Sequence, residues 1–369
     1  MKKIAVAVSA ALLAGSALAA NVDLYGVVNT GFAYTNTRSV EDGAVTKSRS
    51  FSMESGSWSG SRWGLRGSED LGNGYKVGFV LESGFMSDSG KLEDERLFDR
   101  ESTLYVSGDF GTIYAGRMGS LICDVGSVGW FSGMASPFGT GVGDTEGHAS
   151  VMAVRARVDN AIAYMSPRFG GLQLSAQYAM GDGGTENKSG NDRYWAIGAD
   201  YQVGNFEIGA LIDYTNKASV NVDSSKIADA WTFSVAANYD CGFAKSFIAA
   251  QYFKDASVMH WQSLGDYSDK GVLDSRKGFG VNIGVDIPAF GGDFLASAGY
   301  ADGDMRYAKE KYGDMKIYSA LIGYEYPLSK RTYLYTSAGY TYEKDRDNKV
   351  SSVKKNKTFQ ALAGLVHNF

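Results

Sequence analysis

The sequence predicts an all-β fold: a 16-stranded antiparallel transmembrane β-barrel with short periplasmic turns, long extracellular loops and an inward-folded third loop. Three observations predict it. Apolar and polar residues alternate with a period of two along sixteen segments. The connections between these segments alternate between short and long, and an export signal precedes them all. An even strand number is typical of single-chain bacterial barrels, and sixteen strands leave an open aqueous lumen.

The start of the chain has the order of residues found in a secretory signal peptide. Lys2 and Lys3 precede an apolar run over residues 4–18, and small residues follow. We therefore expect a cleaved leader over residues 1–20 and one barrel domain over residues 21–369. Past the leader, no uncharged apolar stretch reaches the roughly 18 residues that a spanning helix needs. The mature chain is then either soluble or spans a membrane as strands.

Composition favours strands joined by tight turns. The chain has 47 Gly, 23 Tyr, 19 Phe and only 4 Pro, which suits a sandwich, a propeller or a barrel. The aromatic excess favours a barrel with aromatic rings at the membrane interfaces. The formal net charge is −5, and becomes −7 without Lys2 and Lys3, so no nucleic-acid partner is implied. Cys123 and Cys241 are expected to be free, although a long-range bond between them stays open.

Each predicted strand has one face that would meet lipid and one that would meet water. In the ninth strand Ile208 and Ile212 would face lipid, while Glu207 and Asp213 would face the lumen. A charge on the lipid face near the membrane midplane costs roughly 2–4 kcal/mol, so the charged set must be the lumen set. The predicted strands are residues 22–36, 61–68, 75–85, 101–107, 112–117, 160–166, 172–180, 194–201, 206–214, 231–239, 244–253, 279–287, 294–300, 316–326, 332–342 and 358–369.

The connections support a membrane barrel over a soluble sandwich. Short ones are rich in Gly, Pro, Asn and Asp, the residues that form tight turns. Long ones are polar, as in residues 37–60, 254–276 and 343–357. Both termini fall on the short-turn side, and a soluble sandwich gives no reason for all long loops to emerge at one end. The last strand should pair with the first and close the barrel.

The third long loop, residues 118–158, differs from the others. It is the longest and is rich in small, apolar and aromatic residues, including Trp130, Phe131 and Phe138. An extended loop of this kind usually has a function, and its apolar content indicates packing against a surface. The nearest surface is the inside of the barrel wall. We therefore predict that this loop folds inward and narrows the pore.

Charged residues cluster around this loop and on the neighbouring strands. A narrow pore with facing rows of opposite charge would orient and select hydrated ions, and arginine keeps its charge at any relevant pH. The alternative for each arginine is a salt bridge that pins the loop to the wall, and for Glu82 it is a cross-strand pair with Arg62 or Lys76. The predicted basic side of the constriction is Arg62, Arg66, Arg117 and Arg157, with Arg155 nearby; the predicted acidic side is Glu82, Asp144 and Glu146.

No pattern in the sequence indicates catalysis, a metal site or a cofactor. The histidines are His148, His260 and His367, and no nucleophile stands out beside any of them. His367 is expected on the lipid or rim face of the last strand. The acidic run around Asp302 and Asp304 lacks the ligand spacing of a calcium loop. We therefore expect no enzyme activity.

Motifs along the whole mature chain resemble those of Gram-negative general porins of the neisserial and betaproteobacterial type. They are Leu24-Tyr25-Gly26, SRWGLRGSEDLGNG at 61–74, LESGF at 81–85, GDFGT at 108–112, Gly116-Arg117, Asp159-Asn160 and LSKRT at 328–332. The resemblance implies a homotrimer of sixteen-stranded barrels in the bacterial outer membrane, each with its own pore for passive diffusion of small hydrophilic solutes and ions. Arg62, Glu82 and Arg117 match positions that line the family's narrowest point, and Arg157 matches less surely.

Some features depart from the family pattern or leave the function open. Met118 stands where the family usually has Gln, and Ala163 and Met165 replace polar residues, which puts the polarity of the pore floor in doubt. We expect a weakly selective channel that favours anions. One alternative is a substrate-specific uptake channel with an aromatic track that includes Trp130 and Phe138, and another is an adhesin or receptor that displays residues 37–60.

The partners that the resemblance implies are a homotrimer's other copies, outer-membrane lipid and lipopolysaccharide, and the outer-membrane assembly machinery. Phe369, with the alternation before it, is similar to the signal that this machinery reads.

Overall fold

The computed structural model describes residues 21–145, 147–181, 193–217, 223–256 and 273–369. The predicted leader, Glu146, His260 and most of the predicted loop 254–276 lie outside the described residues. Within the described ranges, no helix is both long and apolar enough to cross a membrane.

Strands make up most of the described chain. One short helix, α1 (Phe131–Ala135), and 3₁₀ turns at Gly143–Thr145, Gly147–Ser150 and Ser224–Lys226 interrupt them. The strands are β1 (Asn21–Glu41), β2 (Ala44–Ser55), β3 (Arg62–Gly72), β4 (Tyr75–Gly84), β5 (Glu101–Gly108), β6 (Gly111–Gly119), β7 (Arg157–Met165), β8 (Leu172–Ala179), β9 (Arg193–Val203), β10 (Phe206–Asn216), β11 (Ala230–Asp240), β12 (Lys245–Ala256), β13 (Asp274–Ala289), β14 (Gly292–Tyr307), β15 (Glu310–Ser329), β16 (Thr332–Asp347) and β17 (Ser352–Asn368).

The seventeen strands occupy sixteen positions in one closed antiparallel barrel. Strand β1 pairs along one edge with β17, and two strands share its other edge: β3 pairs with residues 21–27 and β2 with residues 30–41. From β3 onward each strand pairs with the next along the chain until β17 returns to β1. The predicted sixteen-stranded barrel, and its closure by the first and last strands, are confirmed.

All sixteen predicted strands form, but two predicted loops are wrong. Residues 37–60 were expected to be a loop; instead β1 continues to Glu41 and returns as β2. Residues 343–357 likewise contain the end of β16, the start of β17 and a short turn between them. Residues 38–49 and most of residues 343–357 lie beyond the aromatic rings of Tyr34 and Phe359, and polar residues occupy both faces of the strands there. Alternation between apolar and polar residues is lost in these parts, although backbone pairing is not. Phe51 and Met53 of β2 return to the apolar belt opposite Tyr34 and Phe32.

The facing of the strands agrees with the prediction. In β10, Ile208 and Ile212 point out of the barrel and are exposed, whereas Asp213 is buried inside it. At the closing seam, the backbone N–H of Phe369 donates to the carbonyl of Gly26 at 3.0 Å, and Gly26 donates back at 3.1 Å. His367 lies on the outer face, as predicted, within 2.9 Å of the Thr332 hydroxyl. The barrel therefore closes in register.

The hydrophobic core lies inside the barrel, between the wall and the long segment that joins β6 to β7. One buried cluster includes Leu121, Phe131 and Met152 from that segment together with Met118, Tyr194 and Phe253 from the wall. A second cluster joins Phe138 to β15, β16 and β17. Both buried apolar clusters thus hold this one connection against the wall.

Candidate pore constriction

The segment between β6 and β7, residues 120–156, follows the inner wall and is called L3 below. Helix α1 packs on β10, β11 and β12. The turn Gly147–Ser150 packs on β14 and β15, and Gly143–Thr145 reaches β15, β16 and β17. L3 therefore lines more than half of the inner circumference, and the prediction that the third loop folds inward is confirmed.

Glycines on the inner wall make room for L3. A Cβ atom on Gly280 would collide with the carbonyl oxygen of Val151, and one on Gly339 would collide with the side chain of Thr145. Others in the set would collide with Trp130, Pro137 or Phe138. The wall glycines that L3 approaches so closely are Gly198, Gly209, Gly280, Gly284, Gly299, Gly323 and Gly339. Since each lies at an inward position of a strand, these glycines form a track that the loop approaches closely, mostly through its side chains.

Amide side chains on the wall hold the L3 backbone. Gln251 accepts from the N–H of Ala153 at 2.6 Å and donates to the carbonyl of the same residue at 3.0 Å. Gln177 accepts from the N–H of Leu121 at 3.2 Å, and its amide donates to the carbonyl of Gly119 at 2.9 Å. These buried amides satisfy backbone groups that have left the sheet. The sequence offered one signal for them, namely uncharged amides at lumen positions.

His148 is buried inside L3 and not exposed to the pore. Its Nε2 lies 3.1 Å from the Oγ of Ser132, and that hydroxyl donates to the carbonyl of Ile122 at 2.6 Å. Because the hydroxyl's only hydrogen is used there, the histidine must donate through Nε2. Burial lowers the pKa of His148 to about 4, against the opposing attraction of Asp124. A serine thus lies beside this histidine, but both are fully buried and fasten the loop.

A second segment also folds into the barrel. Residues 56–60 join β2 to β3, and Trp58 stacks on Tyr335 with ring centroids 5.1 Å apart. The indole N–H of Trp58 donates to Glu325, and the carbonyl of Ser57 accepts from the N–H of Gly143 in L3 at 3.1 Å. The predicted exposed loop 37–60 therefore ends in an inward segment that is tied to L3.

The arginines gather where L3 leaves the wall, and acids lie among them. Glu82 is 3.6 Å from Arg62 and 2.8 Å from Arg100, which also approaches Glu93 at 3.3 Å. Tyr25 donates to Glu82 at 3.0 Å. Of the two interpretations of Glu82, the cross-strand pair with Arg62 is the one that forms, and Glu82 does not face the arginines across the pore. Sequence reasoning missed Arg100, although it follows an acidic stretch that needs a counter-charge.

Arg117 links two strands at the constriction, and the carboxylate of Asp159 neutralises its charge. Its guanidinium lies 2.5 Å from Asp159 and donates to the carbonyl of Asp99 at 2.5 Å. Arg96, which the sequence did not point to, contacts the same Asp159 at 2.7 Å. Arg117 thus fastens β6 to β7 and to the segment before β5.

Arg157 is different, because no carboxylate lies within 4 Å of it among the described residues. Its Nε donates to the carbonyl of Arg100 at 3.1 Å. Arg100 and Arg117 are its cationic neighbours. Arg66 lies on the same lumen face as Arg62 but nearer the termini, where it is largely exposed and 3.7 Å from Asp23. The structure therefore separates Arg66 from the rest of the predicted basic group.

The acidic side of the predicted constriction is only partly described. Asp144 accepts from the amide of Gln360 at 2.7 Å and lies 3.5 Å from the Thr35 hydroxyl. It is therefore held by β17 and β1, directly beside β3, and not on the wall opposite Arg62. Glu325 on β15 is a further acid near this group, since Tyr333 interacts electrostatically with both Glu325 and Arg62.

Several residues that the sequence brought forward lie under L3 instead of facing the pore. Trp130 packs on wall glycines and donates to the Ser175 hydroxyl at 3.2 Å, and Phe138 is buried against Trp58. Met118 and Ala163 are buried in the cluster beneath L3. An aromatic track along the pore through Trp130 and Phe138 is therefore wrong, and two of the departures from the family pattern do not alter the pore surface.

Both cysteines are free thiols, as expected, and Cys123 is buried. Burial raises the pKa of the Cys123 thiol to about 11. Within the described ranges, no three His, Cys, Asp or Glu side chains come together as metal ligands would.

A closed barrel with an apolar outside, a polar lumen and an inward loop beside charged residues defines a transmembrane diffusion channel. Comparison with known proteins gives the particular family. A profile described as Gram-negative porin matches residues 5–347, and the chain belongs to that family. It is an outer-membrane channel for passive diffusion.

Relatives cover nearly the whole chain. An outer membrane porin protein of Bordetella pertussis is 31% identical over 92% of this chain and 94% of its own length. Outer membrane porin protein 32 of Delftia acidovorans is 30% identical over 94% of this chain and 91% of its own. Among solved structures, an anion-selective porin from Comamonas acidovorans superposes with a TM-score of 0.69 at 22% identity, covering 95% of this chain and 100% of that one.

Proposed function

We propose that this porin forms a weakly anion-selective pore for small hydrophilic solutes and ions, with Arg62, Arg100 and Arg157 as the positive side of its constriction. The observation that supports this is the grouping of like charges. Arg100 interacts electrostatically with both Arg62 and Arg157. Holding guanidinium groups together costs free energy, and such arrangements are found where a site uses the charge.

Two carboxylates within 4 Å, Glu82 and Glu93, face the three guanidinium groups, so the group keeps a net positive charge at this point. Glu82 is the carboxylate within 4 Å of Arg62, and Arg62 shares it with Arg100. Arg157 has no such partner among the described residues. A fixed guanidinium in a narrow pore attracts anions and repels cations, and salt screens it less there than on an open surface.

The other predicted site residues receive different roles in this proposal. Arg117 mainly fastens the constriction through Asp159, and Arg66 contributes a screened charge further towards the periplasm. Asp144 and Glu146 on L3, with Glu82, supply the negative charges that limit the preference for anions.

The wider setting is also a proposal. Residues 1–20 act as a leader that is removed on export, and three copies assemble into a homotrimer. Its partners are outer-membrane lipid, lipopolysaccharide and the assembly machinery, which reads the end of β17 including Phe369. The sequence motifs of the family support these statements. The relative named as an anion-selective porin supports the ion preference.

Reversal potentials in planar bilayers test the selectivity. A unit charge about 8 Å from the ion path in water contributes roughly 0.5 kcal/mol, so each arginine removed should change the local anion concentration about twofold. We expect the double variant Arg62→Gln, Arg157→Gln to shift the reversal potential in a KCl gradient towards cation preference.

The matched control is Arg66→Gln, which removes the same side-chain charge from a position paired with Asp23 and exposed to water. We expect a smaller shift from it. A double variant that keeps the wild-type reversal potential would disprove the role of Arg62 and Arg157 while leaving the channel function intact.

A further inference from the structure

The short segment between β2 and β3, residues 56–60, is called the strap below. Strands β2 and β3 lie end to end on the same edge of β1, where Ser55 stands opposite Thr30 and Arg62 stands opposite Val27. The strand ends are therefore only about 10 Å apart along the sheet, whereas seven residues of extended chain reach about 24 Å. The strap thus has more length than the connection needs, and the surplus lies inside the barrel.

Asn29 of β1 holds both ends of the strap. Its backbone carbonyl accepts from the N–H of Gly56 at 3.1 Å and from the hydroxyl of Ser61 at 3.0 Å. Its own N–H donates to the same hydroxyl at 3.0 Å. The side-chain oxygen of Asn29 also accepts from the Tyr335 hydroxyl at 3.0 Å. One residue therefore fixes the strap and the aromatic ring on which the strap rests.

Trp58 is the residue of the strap that packs on the inner wall. Its indole stacks on Tyr335 with ring centroids 5.1 Å apart and meets Phe138 of L3 edge-on at 5.9 Å. A Cβ atom on Gly323 would lie 2.7 Å from the indole, so the wall leaves room for this ring as it does for L3. These contacts fix the plane of the indole and the direction of its N–H.

The strap holds an acid and an arginine at the same time. The indole N–H of Trp58 donates to the carboxylate of Glu325. The guanidinium of Arg62 donates to the carbonyl of Gly60 at 2.9 Å. Tyr333 interacts electrostatically with both charged side chains, which places them in the same part of the lumen. The strap therefore fixes the positions of two opposite charges beside the ion path.

Glu325 belongs to a group of inward carboxylates on neighbouring strands. It stands directly opposite Asp293 of β14, and Asp286 lies on the next strand, β13. Both of these acids interact electrostatically with Glu325. Lys245 of β12 stands opposite Asp286 on one side and opposite Asp240 on the other, so this lysine is shared between two acids. The group as a whole keeps a negative charge.

The indole donor opposes the repulsion within this group. A hydrogen bond to a charged acceptor is stronger than one between neutral groups, so Trp58 keeps the Glu325 carboxylate at the wall. Without the donor, repulsion from Asp293 and Asp286 would turn the carboxylate towards the lumen. A carboxylate in the lumen attracts cations and opposes the field of Arg62.

We propose that Trp58 determines the ion preference of the pore by positioning Glu325. Its indole N–H keeps the carboxylate at the wall, so that the arginines dominate the field along the ion path. Trp58 acts through Glu325 and is a positioning residue, and the strap is a second element of the constriction besides L3. This inference deepens the proposed anion selectivity and rests on it.

Reversal potentials of the full-length protein in planar bilayers, measured in a KCl gradient, test the role of Trp58. Trp58→Phe keeps an aromatic ring on Tyr335 but has no donor for Glu325. A unit charge about 8 Å from the ion path in water changes the local ion concentration roughly twofold. We therefore expect the anion-to-cation permeability ratio to fall by up to about twofold in Trp58→Phe, and to rise by a similar factor in Glu325→Gln.

The double variant Trp58→Phe, Glu325→Gln separates positioning from packing. If Trp58 acts through the carboxylate, its replacement has no further effect once that charge is absent, and the double variant keeps the permeability ratio of Glu325→Gln. A purely structural role of the indole would shift the ratio by the same factor in both backgrounds.

Trp130→Phe is the matched control. It also removes an indole N–H inside the barrel, but the acceptor there is the neutral hydroxyl of Ser175 at 3.2 Å. Its permeability ratio should equal that of the wild type. Heat-modifiable gel mobility shows whether each variant folds, and Glu325→Gln tests the charge without any change in the strap.

Three results would each overturn the inference: an unchanged ratio in Trp58→Phe, an equal shift with and without the Glu325 charge, or the same shift in Trp130→Phe. Failure of the proposed function gives a different result, namely an unchanged reversal potential in the double variant Arg62→Gln, Arg157→Gln. The two failures are therefore distinguishable.

Discussion

Individual arginines at the constriction differ in what their charge can do. Arg117 contacts Asp159 so closely that its main effect is to hold β6 against β7. Among the described residues, Arg157 donates to the backbone carbonyl of Arg100, has no carboxylate within 4 Å and stands beside other cations. Both are arginines at the end of a strand that borders L3, so the sequence does not distinguish them. Only the positions of nearby acids show which arginine holds strands together and which one contributes its charge to the pore.

His148 makes L3 sensitive to acid. Because burial lowers its folded-state pKa to about 4, the histidine stays neutral in the docked loop while an exposed histidine takes up a proton near pH 6.5. The undocked state therefore binds more protons between these values, and stability is lost as the pH falls from 6.5 to 4. The loss attributable to His148 should be about 3 kcal/mol at pH 4.

The measurement is chemical unfolding followed by tryptophan fluorescence at pH 7 and pH 4, comparing the wild type with His148→Gln. Glutamine can still donate to Ser132 but does not titrate. Other groups titrate equally in both proteins, so the difference isolates His148. His367→Gln, which removes an exposed histidine from the outer face, serves as the control. Equal pH dependence in wild type and His148→Gln would contradict this expectation.

Among the strands, the sequence predicted the parts that cross the membrane and missed the parts that extend beyond it. Strands inside the apolar belt alternate between lipid and water, so β5, β8 and β10 could be placed to within two residues at each end. β2 carries Lys47 and Arg49 on one face and Ser48 and Ser50 on the other, and the apolar Phe51 and Met53 follow only near its end. With both faces polar over residues 46–50, the middle of this strand has no alternation that separates it from a loop.

The inward direction of L3 was predictable, but its path was not. Apolar content showed that the loop must pack somewhere. Its route depends on wall glycines such as Gly280 and Gly339 and on amides such as Gln251, which are spread over many strands. Only the register of the whole barrel brings them onto one track. For the same reason the partners of Glu82 could be named only as alternatives.

The glycine track can be tested by filling one position. A methyl group at Gly280 would collide with the carbonyl of Val151, so L3 must shift in Gly280→Ala. Overpacking of this kind typically costs about 1–3 kcal/mol. We expect Gly280→Ala to change single-channel conductance and to make L3 easier for an added protease to cut.

Gly133→Ala, within α1 of the same loop, provides the matched control. A Cβ there would lie 3.7 Å from the Cβ of Asp124, an ordinary contact. Alanine also favours a helix over glycine by about 1 kcal/mol. Its conductance and protease resistance should equal or exceed those of the wild type. Wild-type behaviour of Gly280→Ala would show that the wall glycines are not needed for docking.

At the scale of the whole molecule, barrel height varies around the wall and divides its tasks. Strands β5 to β8 have 8–9 residues, whereas β1, β13, β14, β15, β16 and β17 have 16–21. The low wall holds Arg117, Arg157 and both ends of L3. The tall wall carries basic residues such as Arg38 and Lys357 on its outer face. One continuous sheet thus supports an ion path on its inside and a lipid-facing surface on its outside. Inward and outward side chains alternate along the same strands, so the two surfaces do not share residues.

Closure of this sheet depends on the pairing of β17 with β1, and Phe369 is the residue that completes it. Its backbone exchanges two hydrogen bonds with Gly26, and its ring lies over that glycine, where a Cβ would collide. Removing Phe369 leaves both groups of Gly26 unpaired in an apolar setting and uncovers the seam. The pore lining is untouched. Deletion of Phe369 should therefore lower the yield of membrane-inserted protein much more than it alters the conductance of the channels that do form.

Phe369→Tyr keeps the backbone pairing and an aromatic ring and should restore insertion, while Phe290→Ala, which removes a 95% exposed ring from a turn, should have no effect. Normal insertion of the deletion variant would show that the seam closes without this residue.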